Sequence, residues 1–493
     1  MDPKKSNCSD SPKTKFLKMS VDVISPIISL IFNLCIKEGI FPERLKKAEV
    51  IPIYKSGTRM LPNNYRPISL LSPFAKMFEH FIYKQLNNFF IHNKTLYHLQ
   101  YGFRQGGSTE LAVSDIIDDL TNSMENKLIN CSVFLDLAKA FNTVNHQILL
   151  KKLESYGVRG VALKLLRSYL TGRTQITLVN NNKSNSKGVD SGVPQGSTLG
   201  PLLFLIYIND LPLATNMKVR LFADDACLSF ENTNPLALQQ QTNQELLKVN
   251  NWLNQNKLFL NYSKSNFIIF TKKKINHNFK ITIADNQIQQ VRSTKYLGVV
   301  LDEKLNWEPH IKSLKSKLSR TSFIFNRLKN YTDTKTLLMV YFSLFYSHLQ
   351  YCITSWGKAA DKFVSKIFIL QKRVIRYISK VSSRTSTHSL FKDLKLLKLN
   401  EIYELQVGKL MYKVNSNLTV GENRLTDLNN MHNYNTRLSA KSNFYVRRPR
   451  TNLGKISFSY TGPKVWQSIP QSFKSLDFVS FKNKFKEHLL KKY

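Results

Sequence analysis

The spacing of apolar positions changes once along this chain, near residue 302. Before that point, short apolar runs alternate with helical stretches. Val21–Ile40 is the most apolar early segment, but Asp22, Pro26, Asn33 and Lys37 interrupt it. That pattern predicts a buried amphipathic helix over 21–38, stopped at Gly39, rather than a membrane span. Ala48–Ile53 reads as a strand, Lys55-Ser56-Gly57 as a turn, and Pro62 to Pro67 as a loop before an amphipathic helix over 73–92. Ser132–Leu135 predicts a strand that runs straight into Asp136, followed by a helix over 145–156. Thr174–Asn180 alternates like a strand. Val219–Phe230 holds two apolar runs around Asp224-Asp225, the signature of a hairpin whose turn displays carboxylates. A helix over 235–258 and strands at Phe267–Phe270 and Lys280–Ile283 complete this part.

After 302 the period is helical. Ile311, Leu314, Leu318, Phe325 and Leu328 recur every three or four residues, while Lys312, Lys315, Lys317, Arg320 and Arg327 stay off that stripe. Helices are predicted over 335–352, 360–380, 400–415 and 478–492, with a polar, Asn-rich linker after Asn415. Residues 1–19 read as a disordered basic lead-in. The fold class is therefore α+β: a mixed part over 20–301, a helical part over 302–400 and a small basic module over 401–493.

Charge changes what this fold is for. The 493 residues carry 72 Lys+Arg and 33 Asp+Glu, a formal +39. Such self-repulsion calls for a polyanionic partner, nucleic acid first and an anionic membrane second. Hydrophobics at 42% and aromatics at 11% exclude disorder as its cause. Residues 1–301 hold 37 basic and 21 acidic residues, net +16; residues 302–493 hold 35 and 12, net +23 over a shorter stretch. Five scattered cysteines (Cys8, Cys35, Cys131, Cys227, Cys352) without a C-x-x-C pair argue against a disulfide framework and a zinc site. A reducing compartment follows, and no signal peptide is apparent.

Three aspartates stand out. Asp136 ends Val133-Phe134-Leu135-Asp136, and Asp224-Asp225 end Leu221-Phe222-Ala223-Asp224-Asp225. Carboxylates at the ends of adjacent strands can hold two divalent ions roughly 3.5–4 Å apart for an in-line phosphoryl displacement. An isolated Asp-Asp pair is more often an exposed turn. Here Gly192-Val193-Pro194-Gln195-Gly196-Ser197-Thr198-Leu199-Gly200-Pro201 lies about 30 residues upstream, a loop with glycines that let backbone approach a ligand. It opens an apolar helix, Leu202–Leu211, whose N-terminus favours anions.

Taken in order, Lys55, Asn64-Tyr65-Arg66-Pro67-Ile68-Ser69-Leu70, Gly102-Phe103-Arg104, Asp136 with Ala140-Phe141, Pro194-Gln195-Gly196, Phe222-Ala223-Asp224-Asp225 and Tyr296-Leu297-Gly298-Val299 resemble reverse transcriptases. More narrowly they are similar to those of non-LTR (LINE-like) retrotransposons, over about residues 25–310. The resemblance implies a right-hand polymerase with fingers and palm over 20–301 and a thumb over 302–400, copying RNA into DNA. It implies two Mg²⁺ ions, replaceable by Mn²⁺, on Asp136 and Asp224 with Asp225 as third member. Phe141 matches the bulky residue that excludes a ribose 2′-OH, although its plainer reading is a core Phe. Gln195 matches a contact to the incoming nucleotide, Lys55 and Arg66 the basic pair on its triphosphate, and Lys264 a general acid to pyrophosphate. In so basic a chain any one lysine is more often simply solvated. Tyr296-Leu297-Gly298 resembles the loop that positions the primer end.

The partners implied are an RNA template, a DNA primer or target DNA, and dNTPs, with no membrane; the place of work is intracellular, nucleus and/or cytoplasm. His432 to Arg437, Tyr460 to Trp466 and Arg447-Arg448-Pro449-Arg450 resemble segments that follow the polymerase in some such elements. No upstream endonuclease signature is visible, so that function is expected from elsewhere. One position departs from the family: Ala140-Phe141-Asn142 stands where Ala-Phe-Asp is usual. A catalytically inactive nucleic-acid-binding remnant is the alternative this keeps open. An RNA-dependent RNA polymerase is a third, which Phe141 opposes.

Overall fold

The computed structural model describes residues 12, 14–422, 425–426 and 444–492. Of the lead-in over 1–19, residues 1–11 and 13 lie outside the described residues, as does the His432 to Arg437 segment, while Thr14–Met19 is a helix and not the expected disorder. Helix and sheet are mixed, and the chain divides into two compact units.

The first unit comprises residues up to Tyr97, Asp136–Asn216 and Gln244–Tyr262. Its sheet pairs Lys47–Tyr54 antiparallel with Tyr65–Leu70 and parallel with Arg173–Val179. Pro52 faces Pro67 past the end of the parallel ladder, which stops at Val50–Thr177. There the strand has only one neighbour, so a proline's missing N–H removes no bond on the other side. Tyr65 to Pro67, expected as loop, thus belong to a strand, because pairing with Lys47–Tyr54 overrides the local turn residues. Helix Pro73–His92 has the predicted bounds and is capped by Ser72 Oγ accepting from Ala75 N. Phe78 from this helix stacks on Phe32 and Phe41, and Phe41 meets Tyr169 edge-on.

One expectation fails here. Val21–Glu38 is helical and ends at Gly39 in the left-handed region (φ 65°), but none of its residues is buried. Its period is helical as predicted, but Ile24, Ile28, Phe32, Cys35 and Ile36 are only half-buried, and a second apolar row, Val23, Ile27 and Leu30, is open. By contrast Gly200–Ile208 buries every residue from Leu202 to Ile208, as a helix apolar all round should.

The second unit comprises His98–Leu135, Met217–Asn243 and residues from Ser263 on. Its sheet runs in the order Gln289–Gln290, Asn266–Phe270, Ile129–Leu135, Asp225–Asn232, Lys218–Phe222. Ile129–Leu135 is central and buried throughout, and its two polar residues satisfy each other, Ser132 Oγ donating to Asn130 Oδ1 at 2.8 Å. Helix Thr109–Glu125, which the sequence reading leaves unassigned, packs on this sheet. The helices that follow include Glu308–Leu328, Asp361–Ile378, Leu399–Asn415, Phe458–Ser468 and Phe478–Leu490. One apolar cluster joins Phe134, Trp307, Ile367, Tyr403, Trp466 and Phe485. On Glu308–Leu328 the stripe from Ile311 to Phe325 is buried, and Lys312, Lys315, Lys317, Arg320 and Arg327 are exposed, as predicted.

Candidate active site

In the second unit, Lys218–Phe222 and Asp225–Asn232 form the predicted hairpin, with Phe222 opposite Asp225 and Ala223-Asp224 at its turn. Ala223 is left-handed (φ 55°), and Asp224 is half-buried while Asp225 is exposed. Gln100 fixes this turn. Its buried Oε1 accepts from Gly102 N at 2.9 Å and from Ala223 N at 3.0 Å, and Tyr101 N donates to Leu221 O at 2.9 Å. The Gly102-Phe103-Arg104 motif is thereby tied to the aspartate turn by backbone. Gln100 escapes a sequence reading, since its only signal is its place before that motif.

Ile129–Leu135 pairs with the same hairpin, Leu135 opposite Ala226 and Val133 opposite Leu228. Asp136 is the next residue in the chain and is half-buried. In the first unit its carbonyl accepts from Asn261 N at 2.8 Å, and Ala138 N donates to Phe259 O at 2.8 Å. Among the described residues no group of three or more His, Cys, Asp or Glu is gathered into a metal-holding cluster.

The first unit gathers the remaining residues of the Pro194-Gln195-Gly196 loop and its surroundings. Ser69 N donates to Gln195 O at 2.7 Å, Val193 N to Phe141 O at 2.8 Å and Gly192 N to Val144 O at 2.8 Å. Gly196 has φ 123°, and a Cβ there would lie 2.6 Å from Ser69 O, so only glycine fits. Gln195 Nε2 donates to Asn142 Oδ1 at 3.1 Å. Phe141, half-buried, stacks on Phe204 of the buried helix at 4.6 Å. A cleft of about 310 Å³ is lined by Ser69, Asn142, Arg173, Asp190 and Gln195 among others.

Beneath the loop sits Glu79, fully buried. Its Oε2 accepts from Thr198 N at 2.7 Å and its Oε1 from Tyr169 Oη at 3.0 Å. Burial pushes its carboxyl above the ordinary range, against the opposing pull of Thr198, Arg173 and Tyr169. The sequence reading missed it because a Glu in an amphipathic helix looks like solvent face. His146 lines the other side, its Nε2 2.8 Å from Gly192 O, with its pKa lowered chiefly by burial.

Lys55 and Arg66 are both exposed at one end of the strand pair, where Ile53 faces Arg66 and Lys55 N donates to Asn64 O at 2.8 Å. In the second unit Lys264 is exposed in the turn before Asn266–Phe270. Leu297 and Gly298 form the two-residue turn between Ser293–Tyr296 and Val299–Asp302, and Tyr351 Oη donates to Leu297 O at 2.7 Å. Tyr296 itself is buried against Phe134.

A family model described as reverse transcriptase (RNA-dependent DNA polymerase) matches residues 46–301. A probable RNA-directed DNA polymerase from transposon BS of Drosophila melanogaster is 30% identical over 76% of this chain and 43% of its own length. The RNA-directed DNA polymerase from mobile element jockey of the same species is 28% identical over 84% of this chain and 46% of its own. That of the X-element is 29% identical over 75% and 41%. The chain spans less than half the length of these relatives.

Proposed function

Since the chain belongs to the reverse transcriptase family, we propose that it is the RNA-directed DNA polymerase of a non-LTR retrotransposon, extending a primer 3′-OH with dNTPs on an RNA template. In this reading residues 20–301 are fingers and palm of a right-hand polymerase, 302–400 the thumb, and 401–493 a basic module; the setting is intracellular, nucleus and/or cytoplasm. The observation that carries it is the register of the second unit. Leu135 faces Ala226, Asp136 follows the first, and Asp224-Asp225 precede the second.

The donor set fits a hard divalent cation. Mg²⁺ is typically held by one or two carboxylates with the rest of its shell from water and substrate phosphate, so a closed cage of protein ligands is not required. Asp136 and Asp224 would hold the two ions, with Asp225 beside them. Bound there, the ions neutralise charge on the transferring phosphoryl group.

The chain's own residues do the rest. Arg66 offers a forked guanidinium and Lys55 a point charge to the triphosphate. Gln195, with its amide nitrogen occupied by Asn142, presents its Oε1 toward the nucleotide. Phe141, backed by Phe204, blocks a 2′-OH. The primer 3′-OH gives up its proton to solvent and bonds to the α-phosphorus. The bond from that phosphorus to the bridging oxygen breaks, and Lys264 gives a proton to the departing pyrophosphate. Leu297 and Gly298 support the primer end. The exposed cations of Glu308–Leu328 track phosphates of the hybrid, a contact without sequence content.

The test is primer extension on a primed RNA template with Mg²⁺. Asp224→Asn and Asp136→Ala should each abolish dNTP incorporation while leaving hybrid binding intact. Wild-type rates in either variant sink the carboxylate assignment, and salt-sensitive hybrid binding without extension by the wild-type chain favours the inactive remnant.

A further inference from the structure

Helices Leu399–Asn415 and Phe478–Leu490 approach each other at Gly408. A Cβ there would lie 2.4 Å from Phe485 Cε1, so the absence of a side chain sets the spacing. That close approach turns Lys409 of one helix and Lys482 and Lys486 of the other toward one cavity of about 230 Å³. Lys395 joins them from the turn before Leu399–Asn415, and Tyr346 and Gln350 line the same space. The cavity's polar atoms are ordered: Lys409 Nζ donates to Gln406 Oε1 at 2.8 Å, and Gln406 Nε2 to Gln350 Oε1 at 3.3 Å.

Four lysines from three segments thus line one cavity, and among the described residues no ion pair joins any of them to a carboxylate. Burial depresses the pKa of both Lys409 and Lys486, and the charge of Lys482 depresses both further. Glu110 draws Lys409 the other way from a distance, but its own Oε1 accepts from Thr354 Oγ1 at 2.9 Å. Lys413 adds repulsion. Partly desolvated cations such as Lys409 and Lys486 are costly where the nearest countercharge is distant, and an oxyanion among them offsets that cost. Lysine, a point charge on a flexible stem, suits a phosphate that arrives in varied orientations.

We propose that the cavity between Leu399–Asn415 and Phe478–Leu490 is a phosphate-oxyanion site that takes one phosphodiester of a bound polynucleotide strand. Its anion chemistry stands on the lysines alone; the polynucleotide source rests on the polymerase reading and on the net +23 of residues 302–493. The role is grip, not chemistry.

The test uses the full chain and a labelled RNA–DNA hybrid without dNTPs, followed by fluorescence anisotropy over a salt series. One phosphate contact contributes about 0.9 to the slope of log K against log salt, which is about eightfold in affinity at 0.1 M. The double variant Lys409→Gln/Lys486→Gln should lose about that slope and affinity. Lys482→Gln, an exposed position with no packing role, should lose part of it. Lys94→Gln/Lys127→Gln, which removes the same charge elsewhere, should change neither. Wild-type slope and Kd in both cavity variants, or an equal loss in the control, overturns the site. Inorganic phosphate that raises the wild-type Tm and not the variant's, with hybrid affinity unchanged, assigns the cavity to free anion and overturns the polynucleotide source. A slope change in a chain that extends no primer retains the site and sinks only the polymerase reading.

Discussion

Removing the Glu79 carboxyl should loosen the Gln195 loop without touching any group that meets substrate. Glu79 is fully buried and accepts from Thr198 N–H and Tyr169 O–H, with the Leu199 N–H a weaker third donor. Glu79→Ala orphans the two main donors. A buried donor left without a partner costs about 1–3 kcal/mol, so the variant should lose roughly 2–6 kcal/mol, against a total stability of about 5–15 kcal/mol. Glu79→Gln is gentler. Its amide oxygen can serve one donor, but its NH₂ then faces the other, so one bond is lost at about 1–3 kcal/mol.

The pH dependence separates this carboxyl from generic packing. Burial is the leading cause of its shift, and the folded pKa lies above the ordinary 4.5. A folded value above the unfolded one means the native state binds the proton more tightly. The stability from that proton is complete below 4.5 and drains away as pH rises through the folded value. Glu79→Gln cannot titrate. Urea melts of both proteins from pH 4.5 to 8 should therefore show the wild-type advantage shrinking as pH climbs. In primer extension the Gln variant should raise KM for dNTP while hybrid affinity stays put. An advantage that grows with pH would refute the argument, because the buried carboxyl would then be held as an ion.

Three further outcomes are expected. Phe141→Ala should cut discrimination against rNTPs by about 10- to 200-fold, the scale set by steric pockets, read as the ratio of kcat/KM for dNTP and rNTP; an unchanged ratio returns Phe141 to the core. Asn142→Ala removes the acceptor for Gln195 Nε2, about 0.5–1.5 kcal/mol or roughly 2- to 10-fold in kcat/KM, and Asn142→Asp should restore it because it keeps an acceptor oxygen. His310, lowered from 6.5 to about 4 by burial first and Lys317 second, is neutral in the native state. Its depressed folded value makes stability fall by about 3 kcal/mol as pH drops from 6.5 to 4, and His310→Gln should flatten that limb of the denaturation profile.

Much of this was legible because the chemistry sits on local pattern. The aspartate hairpin, the central strand ending at Asp136, the helix over 73–92 and the basic face of Glu308–Leu328 all follow from spacing within ten to twenty residues. What stayed hidden depends on partners far along the chain. Val21–Glu38 has the right period, yet nothing in its own sequence reports that one apolar row is only half-buried and that Val23, Ile27 and Leu30 go uncovered. Thr109–Glu125 hides for the opposite reason. Its acids mimic a solvated face, but Asp115 and Asp118 are buried against partners more than a hundred residues away. Glu79 and Gln100 belong to the same class, polar side chains whose role is to satisfy distant backbone.

Those hidden acids also change the meaning of the net charge. On Thr109–Glu125, Glu110 accepts from Thr354, Asp115 pairs with Arg220 at 2.5 Å, and Asp118 accepts from Phe458 N and Ser459 N at 2.8 and 3.0 Å. Asp119 pairs with Lys218 at 3.0 Å, and Glu125 accepts from Thr451 N at 3.2 Å. Glu110, Asp118 and Glu125 accept from hydroxyl or backbone donors, and Glu125 also lies 3.6 Å from Arg447 Nη2. Each such acid counts as −1 in a sequence total, yet its field is spent inside the second unit, where low dielectric and fixed dipoles hold it. Lysines on exposed helix faces keep theirs in solvent. The potential that an approaching polyanion meets around residues 302–493 is therefore set by the basic residues more completely than +39 for the whole chain implies, and it is there that salt should act most strongly on binding.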